Sequence, residues 1–135
     1  MKKLLIVVFF CILCSCIYKQ PNHPGGIEAR NESDEPIYTF LYNGITDSIP
    51  LISSWYDLDY IGEKEERSRI SFLESAEKPL FSEDGSITLF FLSEEMLRQN
   101  SLKEIHQKQI YKKRLVLTKE KLQEMNWSII YDGKP

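Results

Sequence analysis

Ser86-Ile87-Thr88-Leu89-Phe90-Phe91-Leu92 is β-branched, aromatic or leucine at all but its first position. It is strongly apolar, as a strand inside a sheet is. A central strand is therefore expected here, and the neighbouring residues are read outward from it. Ser93 stands where a helix N-cap belongs, with Glu94 and Glu95 at the positive end of the helix dipole. Leu92 and Leu97 have the spacing of a hydrophobic staple around that cap. Ser101-Leu102-Lys103-Glu104 fits a capping box, so a second short helix should begin there, with Leu102, Ile105 and His106 on one face.

Towards the C-terminus, Ile110 to Leu117 alternates as a strand, and the run Lys112-Lys113-Arg114 marks it as an edge. Thr118 should cap a helix through about Met125. Trp127-Ser128-Ile129-Ile130-Tyr131 reads as a last strand burying Trp127, Ile129 and Tyr131, after which Asp132 to Pro135 is expected to fray. Towards the N-terminus, Ile37 to Tyr42 reads as an interior strand. Asn43-Gly44 after it suits a type I′ turn, predicting a hairpin that returns through Ile45 to Ile49 and stops at Pro50. Residues 51–85 carry the weakest pattern. Within them Gly62 to Arg69 reads as a solvated charged run and Glu83-Asp84-Gly85 as a turn.

Residues from Ile17 to about Ser33 are polar and interrupted by Pro21, Pro24, Gly25 and Gly26, too poor in apolar area to offset their ordering entropy. The expected architecture is α+β: a small, mostly antiparallel sheet with short helices on one face, preceded by a signal peptide and a flexible tether. The expected boundaries are 1–15 for the signal peptide, 16–35 for a lipid-anchored tether and 36–135 for a single domain.

The signal rests on Lys2 and Lys3, an apolar run from Leu4 to Leu13, and small Ser15 before Cys16. The run is shorter than the ~20 residues that cross a bilayer. Leu13-Cys14-Ser15-Cys16 resembles a bacterial lipobox. The resemblance implies diacylglycerol transfer to the Cys16 sulfur, cleavage between Ser15 and Cys16, and fatty acylation, such as palmitate, of the new amino group. Cys11 and Cys14 are poorer acceptors, because Phe10 and Leu13 before them are not small. Ile17 is not the aspartate that retains some lipoproteins in the inner membrane, and no acidic cluster follows Cys16. The resemblance therefore points to the outer membrane, facing the periplasm.

Removing residues 1–15 from the 135 leaves 120, enough for one domain with a core. The whole chain carries −3; without Lys2 and Lys3, 15 basic side chains face 20 acidic ones, a net of −5. An acidic chain with no large basic face is a poor nucleic-acid binder. All three cysteines lie at positions 11, 14 and 16, so a processed chain would have no disulfide, thiolate metal site or cysteine nucleophile.

The order of features also resembles a group of short bacterial lipoproteins with no assigned activity. The likeness runs over Asn31 to Tyr42 and Ser86 to Tyr131. Its most specific parts are Leu117-Thr118 with Leu122, and Asn126-Trp127-Ser128-Ile129-Ile130-Tyr131. It implies an envelope location and a domain extent, and supplies no catalytic residue or cofactor.

Chemistry-bearing patterns are few. His23 and His106 lack the partners that a general base or metal ligand needs, and a surface role is expected for His106. Trp55, Tyr56 and Tyr60 with Asp57 and Asp59 form the best candidate, because rings stack on sugars and carboxylates accept hydroxyl hydrogen bonds. Two aspartates are too few oxygens for a calcium loop, and no metal is expected. Asp47-Ser48-Ile49 resembles a periplasmic O-glycosylation acceptor at Ser48; Asn31-Glu32-Ser33 and Asn126-Trp127-Ser128 match the N-linked pattern, though Asn126 is better read as a helix end. No phosphate loop, nucleophile elbow or zinc-binding histidine pair appears in the sequence. The expectation is a non-catalytic module contacting an envelope protein or a glycan. It would have no cofactor and no nucleic-acid partner, and would be held to membrane lipid through Cys16.

Overall fold

The computed structural model describes residues 26–64, 66–71, 81 and 85–134. The expected signal peptide, Ser15, Cys16 and the tether up to residue 25 lie outside them. Seven strands occur among the described residues: β1 (Gly26–Asn31), β2 (Ile37–Asn43), β3 (Leu58–Ile61), β4 (Arg67–Ser71), β5 (Ser86–Ser93), β6 (Lys113–Thr118) and β7 (Ser128–Tyr131). Three helices accompany them: α1 (Glu94–Gln99), α2 (Leu102–Lys108) and α3 (Lys119–Glu124), with a 3-10 turn at Trp55–Asp57.

The α+β class is as the sequence implies, but the strands form two sheets. One has the order β3-β2-β5-β6 and is antiparallel throughout; the other has the order β4-β1-β7, with β1 antiparallel to β4 and parallel to β7. β5 is buried at all eight positions, and its two faces serve different cores. Ile87, Leu89 and Phe91 join Ile27, Ala29, Ile70, Ile129 and Tyr131 between the sheets. Phe90 and Leu92 point the other way, onto Ile49, Ile52, Leu97 and Ile105 beneath α1 and α2. Each such Phe or Leu contributes ~1.5–3 kcal/mol by leaving water. The order of layers is thus three-stranded sheet, four-stranded sheet, then α1 and α2, while α3 packs its Leu122 into the core between the sheets.

The helix caps form as their residues dictate. Ser93 Oγ accepts the Met96 N–H at 3.3 Å, and Thr118 Oγ1 accepts that of Lys121 at 3.2 Å. Ser101 and Glu104 close a capping box, in which Glu104 Oε2 accepts the Ser101 N–H at 2.9 Å. That backbone N–H, then the Ser101 hydroxyl and Lys108, hold the Glu104 carboxyl down at about 2. Asn126 has φ +54° and ends the turn after α3, as its reading as a helix end requires.

Four expectations are corrected. The domain does not wait for residue 36: Gly26–Asn31 is the middle strand of its sheet, with Ile27 and Ala29 buried. The breakers beside it masked a short alternation, Ile27 and Ala29 inward, Glu28 and Arg30 outward. Ile45 to Ile49 is no hairpin return, because both edges of β2 are already taken by β3 and β5. Instead Thr88 Oγ1 donates to Gly44 O at 2.6 Å and accepts the Thr46 N–H at 3.3 Å, turning the chain away under the helices. The basic strand starts at Lys113, three residues late, since Ile110 and Tyr111 are drawn onto the helix-side core. Beyond β7, Asp132 accepts from Lys113 Nζ at 3.2 Å and from the Lys134 N–H at 3.2 Å, so this segment is tied rather than frayed.

Strand directions give the body two distinct ends. The turn at 32–36 and residues 62–64 lie at one end, where Asn31 Nδ2 donates to Gly62 O at 2.6 Å. The opposite end, the base, carries the first residues of β1, β5 and β7 and the last residues of β2, β4 and β6, while the shorter β3 starts opposite Phe40, halfway along β2.

Candidate functional site

The aromatic stretch is built on a capped turn. Ser54 Oγ accepts the Tyr56 N–H at 3.2 Å and Asp57 Oδ2 accepts the Ser54 N–H at 3.0 Å, closing a capping box around a single 3-10 turn. So short a turn buries none of its residues, and it presents Trp55 and Tyr56 to solvent. Asp57 spends one carboxylate oxygen on that cap. Tyr60 is half-exposed on β3, and its ring meets Tyr38 edge-on at 5.1 Å. No ring contact among the described residues joins Trp55, Tyr56 and Tyr60. The expected platform is therefore split between a tip at residues 55–56 and a Tyr38–Tyr60 pair higher on the sheet.

The loop leading to this turn is clamped by α2. His106 Nδ1 donates to Ile49 O at 2.9 Å, and Gln109 Oε1 accepts the Ile49 N–H at 2.7 Å. His106 is partly exposed, as expected, and its imidazole also serves as a structural clamp. Its signal in the sequence was its place beside Ile105. Ser48 is exposed, while the Asp47 carboxylate pairs with Arg114 at 2.7 Å.

Asn31 is a site that sequence reasoning missed. It is 0 % exposed, and its amide is fully used: Nδ2 donates to Glu35 O at 2.7 Å and Gly62 O at 2.6 Å. Its Oδ1 accepts from the Ser33 N–H at 2.9 Å and the Ser33 hydroxyl at 2.7 Å. The Asn-x-Ser spacing that matched an N-linked acceptor is the spacing of an Asx turn. An enclosed amide with four partners is no acceptor.

Two shallow depressions occur among the described residues. One of about 290 Å³ is lined by Gly26, Glu28, Arg67, Ser68 and Arg69, with Arg67 paired to Glu28 at 3.2 Å. The other, about 220 Å³, is lined by Glu35, Pro36, Glu94, Glu95 and Arg98. Its charges are largely paired: Lys112 with Glu35 at 2.9 Å, Arg98 with Glu94 at 2.8 Å. The Glu35 carboxylate raises the Lys112 ammonium above its ordinary range by hydrogen bonding. Among the described residues no three His, Cys, Asp or Glu side chains gather as a metal site would need, and no helix is long and apolar enough to cross a membrane.

The chain matches no protein-family model, and neither a curated protein nor a solved structure is significantly similar to it.

Proposed function

We propose that this chain is a lipid-anchored envelope lipoprotein whose domain is a non-catalytic interaction module. The observation that carries the reading is the sequence from Met1 to Cys16: two lysines, a short apolar run, then Leu13-Cys14-Ser15-Cys16. Cys16 is the lipidation residue and Ser15–Cys16 the cleavage point. Several acyl chains at ~0.8 kcal/mol per buried CH₂ make such an anchor permanent. The outer membrane, periplasmic side, is the location the residues after Cys16 favour. Metabolic labelling with a fatty-acid analogue tests this: the wild type is expected to carry the label and Cys16→Ser to lose it and become soluble. An unlabelled wild type would sink the reading.

A glycan-binding accessory is the second reading, favoured by the exposure of Trp55, Tyr56 and Tyr60. It expects Trp55→Ala to abolish retention on envelope polysaccharide while leaving the fold intact. Ser48 is exposed, so its O-glycosylation is open to one measurement: an intact mass equal to protein plus lipid would remove it.

A further inference from the structure

The helices leave part of the four-stranded sheet uncovered at its β3 edge. Tyr38 pairs with Tyr60 and Phe40 with Leu58 across β2 and β3, which sets these side chains on one face as a single block. The face is the one beneath the helices, because Tyr38, Phe40 and Leu58 pack against the core of Phe90, Leu92, Leu97 and Ile105. No member of the block is fully buried. The Tyr60 ring is 49 % exposed and meets Tyr38 edge-on at 5.1 Å.

Carboxylates rim this block at the end away from the base. The Glu66 N–H bonds Glu63 O at 3.4 Å, and the Asn31 N–H ties Glu66 O to β1 at 3.1 Å. The Glu66 carboxylate lies where a side chain on Gly62, two residues after Tyr60, would stand, so only glycine leaves it that place. Glu94 opens α1 two residues after Leu92, which lies opposite Tyr38, and its N–H bonds Pro36 O at 3.3 Å. Burial first, then Glu66, Tyr38, Glu94 and Glu63, push the Tyr60 phenol above its ordinary range, so all three carboxylates act on this one ring. Lys64 answers Asp34 at 3.5 Å and Arg98 answers Glu94 at 2.8 Å; among the described residues no cation answers Glu63 or Glu66. An exposed ring beside unanswered carboxylates fits an apolar stem that ends in a positive charge, which is a lysine or arginine side chain.

We infer that the block of Tyr38, Phe40, Leu58 and Tyr60, with its carboxylate rim, is the docking surface for a basic segment of a partner protein. A lysine or arginine of that segment lies over the Tyr60 ring, and apolar neighbours cover Leu58 and Phe40. A neutral glycan would use the ring without the carboxylates, and an anionic one would be repelled. The acidic balance of the whole chain, −3, adds a field that steers a basic partner inward and weakens with salt. The inference rests on the interaction-module reading and names its partner class; it does not depend on the anchor.

The test titrates the full-length protein, held in uncharged detergent micelles, with short synthetic peptides while its signals are followed by nuclear magnetic resonance. A peptide alternating lysine with leucine is expected to bind and to move the signals of Tyr38, Leu58, Tyr60, Glu66 and Glu94. Its glutamate–leucine counterpart is expected to move none of them. Tyr60→Ser should weaken binding about fivefold and Glu66→Gln about threefold. Tyr60→Phe keeps the ring and should bind like the wild type, which separates loss of the ring from loss of the fold. Glu120→Gln, which removes an exposed charge from α3, should also leave binding as it is. No binding of the lysine–leucine peptide would overturn this surface, as would Tyr60→Ser binding like the wild type or Glu120→Gln weakening it as much as Glu66→Gln. Competition for the same signals by a neutral soluble glycan would overturn it in favour of the glycan reading. Failure of the anchor shows separately, as a wild type that takes up no fatty-acid label.

Discussion

The two sheets are built on opposite terms. The four-stranded sheet is centred on β5, a run of eight residues buried on both faces, and its strands announce themselves by composition. The three-stranded sheet is centred on β1, where only Ile27, Ala29 and Asn31 point inward and Glu28 and Arg30 face water. It is closed by strands distant in sequence and held at its upper end by a polar hub, Asn31. One sheet is specified by its own residues, the other by what it packs against. Burial on both faces makes a strand legible by itself; burial on one short face makes it legible only in company.

The comparison can be broken at graded cost. Phe91→Ala removes a ring that stacks on Tyr131 at 5.0 Å across the two sheets, and is expected to cost about 4 kcal/mol in urea denaturation. Phe90→Ala should cost about as much, yet hydrogen exchange separates them. The first loosens β1 and β7, the second α1 and α2; identical protection maps would show that the two cores are one. Asn31→Leu removes the side-chain donor to Gly62 O and the acceptor of the Ser33 N–H, and leaves Glu35 O with the Ser33 hydroxyl at 3.2 Å; it is expected to cost about 3 kcal/mol. A loss under about 1 kcal/mol would deny the hub its place in the three-stranded sheet. Ser101→Ala touches only the helix layer and is expected to cost about 1 kcal/mol, read as a lower urea midpoint.

A pH effect belongs to the same cap. Glu104 is held at about 2 in the folded chain, below its ordinary 4.5, so its contribution is present above the ordinary carboxylate range. That contribution is lost as pH falls through 4.5 towards 2. Glu104→Gln should flatten this part of the acid limb of a Tm–pH curve; an unchanged limb would assign the loss to other carboxylates. Smallest of all, Tyr56→Ser should shift stability by no more than about 0.5 kcal/mol, because the ring touches so little of the fold.

What was legible follows from the same contrast. Caps at Ser93, Ser101 and Thr118 are local chemistry, and each formed where its residues stood. Trp127, Ile129 and Tyr131 alternated as a strand must, and all three are buried. β1 is hard to tell from a tether by sequence, because Pro24, Gly25 and Gly26 outweigh the two inward positions Ile27 and Ala29. β4 was taken for solvated surface because Arg67 and Arg69 face out and only Ile70 is seen to be buried. At the aromatic stretch the sequence told which rings were large, but whether they shared a surface depended on the register of β3 against β2. That register turned Tyr60 to Tyr38. The hub at Asn31 is illegible in the sequence because, although Ser33 and Glu35 are close by, its burial depends on Gly62, thirty-one residues away.

The parallel pairing of β1 with β7 sets Glu28 opposite Ser128, a hundred residues later. Until residue 131 has emerged from synthesis, β1 has one open edge and Ala29 one uncovered flank. A chain cut short before β7 therefore leaves a half-built sheet able to recruit a strand from its neighbours. Closure of the three-stranded sheet waits for β7, and a product truncated before it is a seed for aggregation or a ready target for proteases.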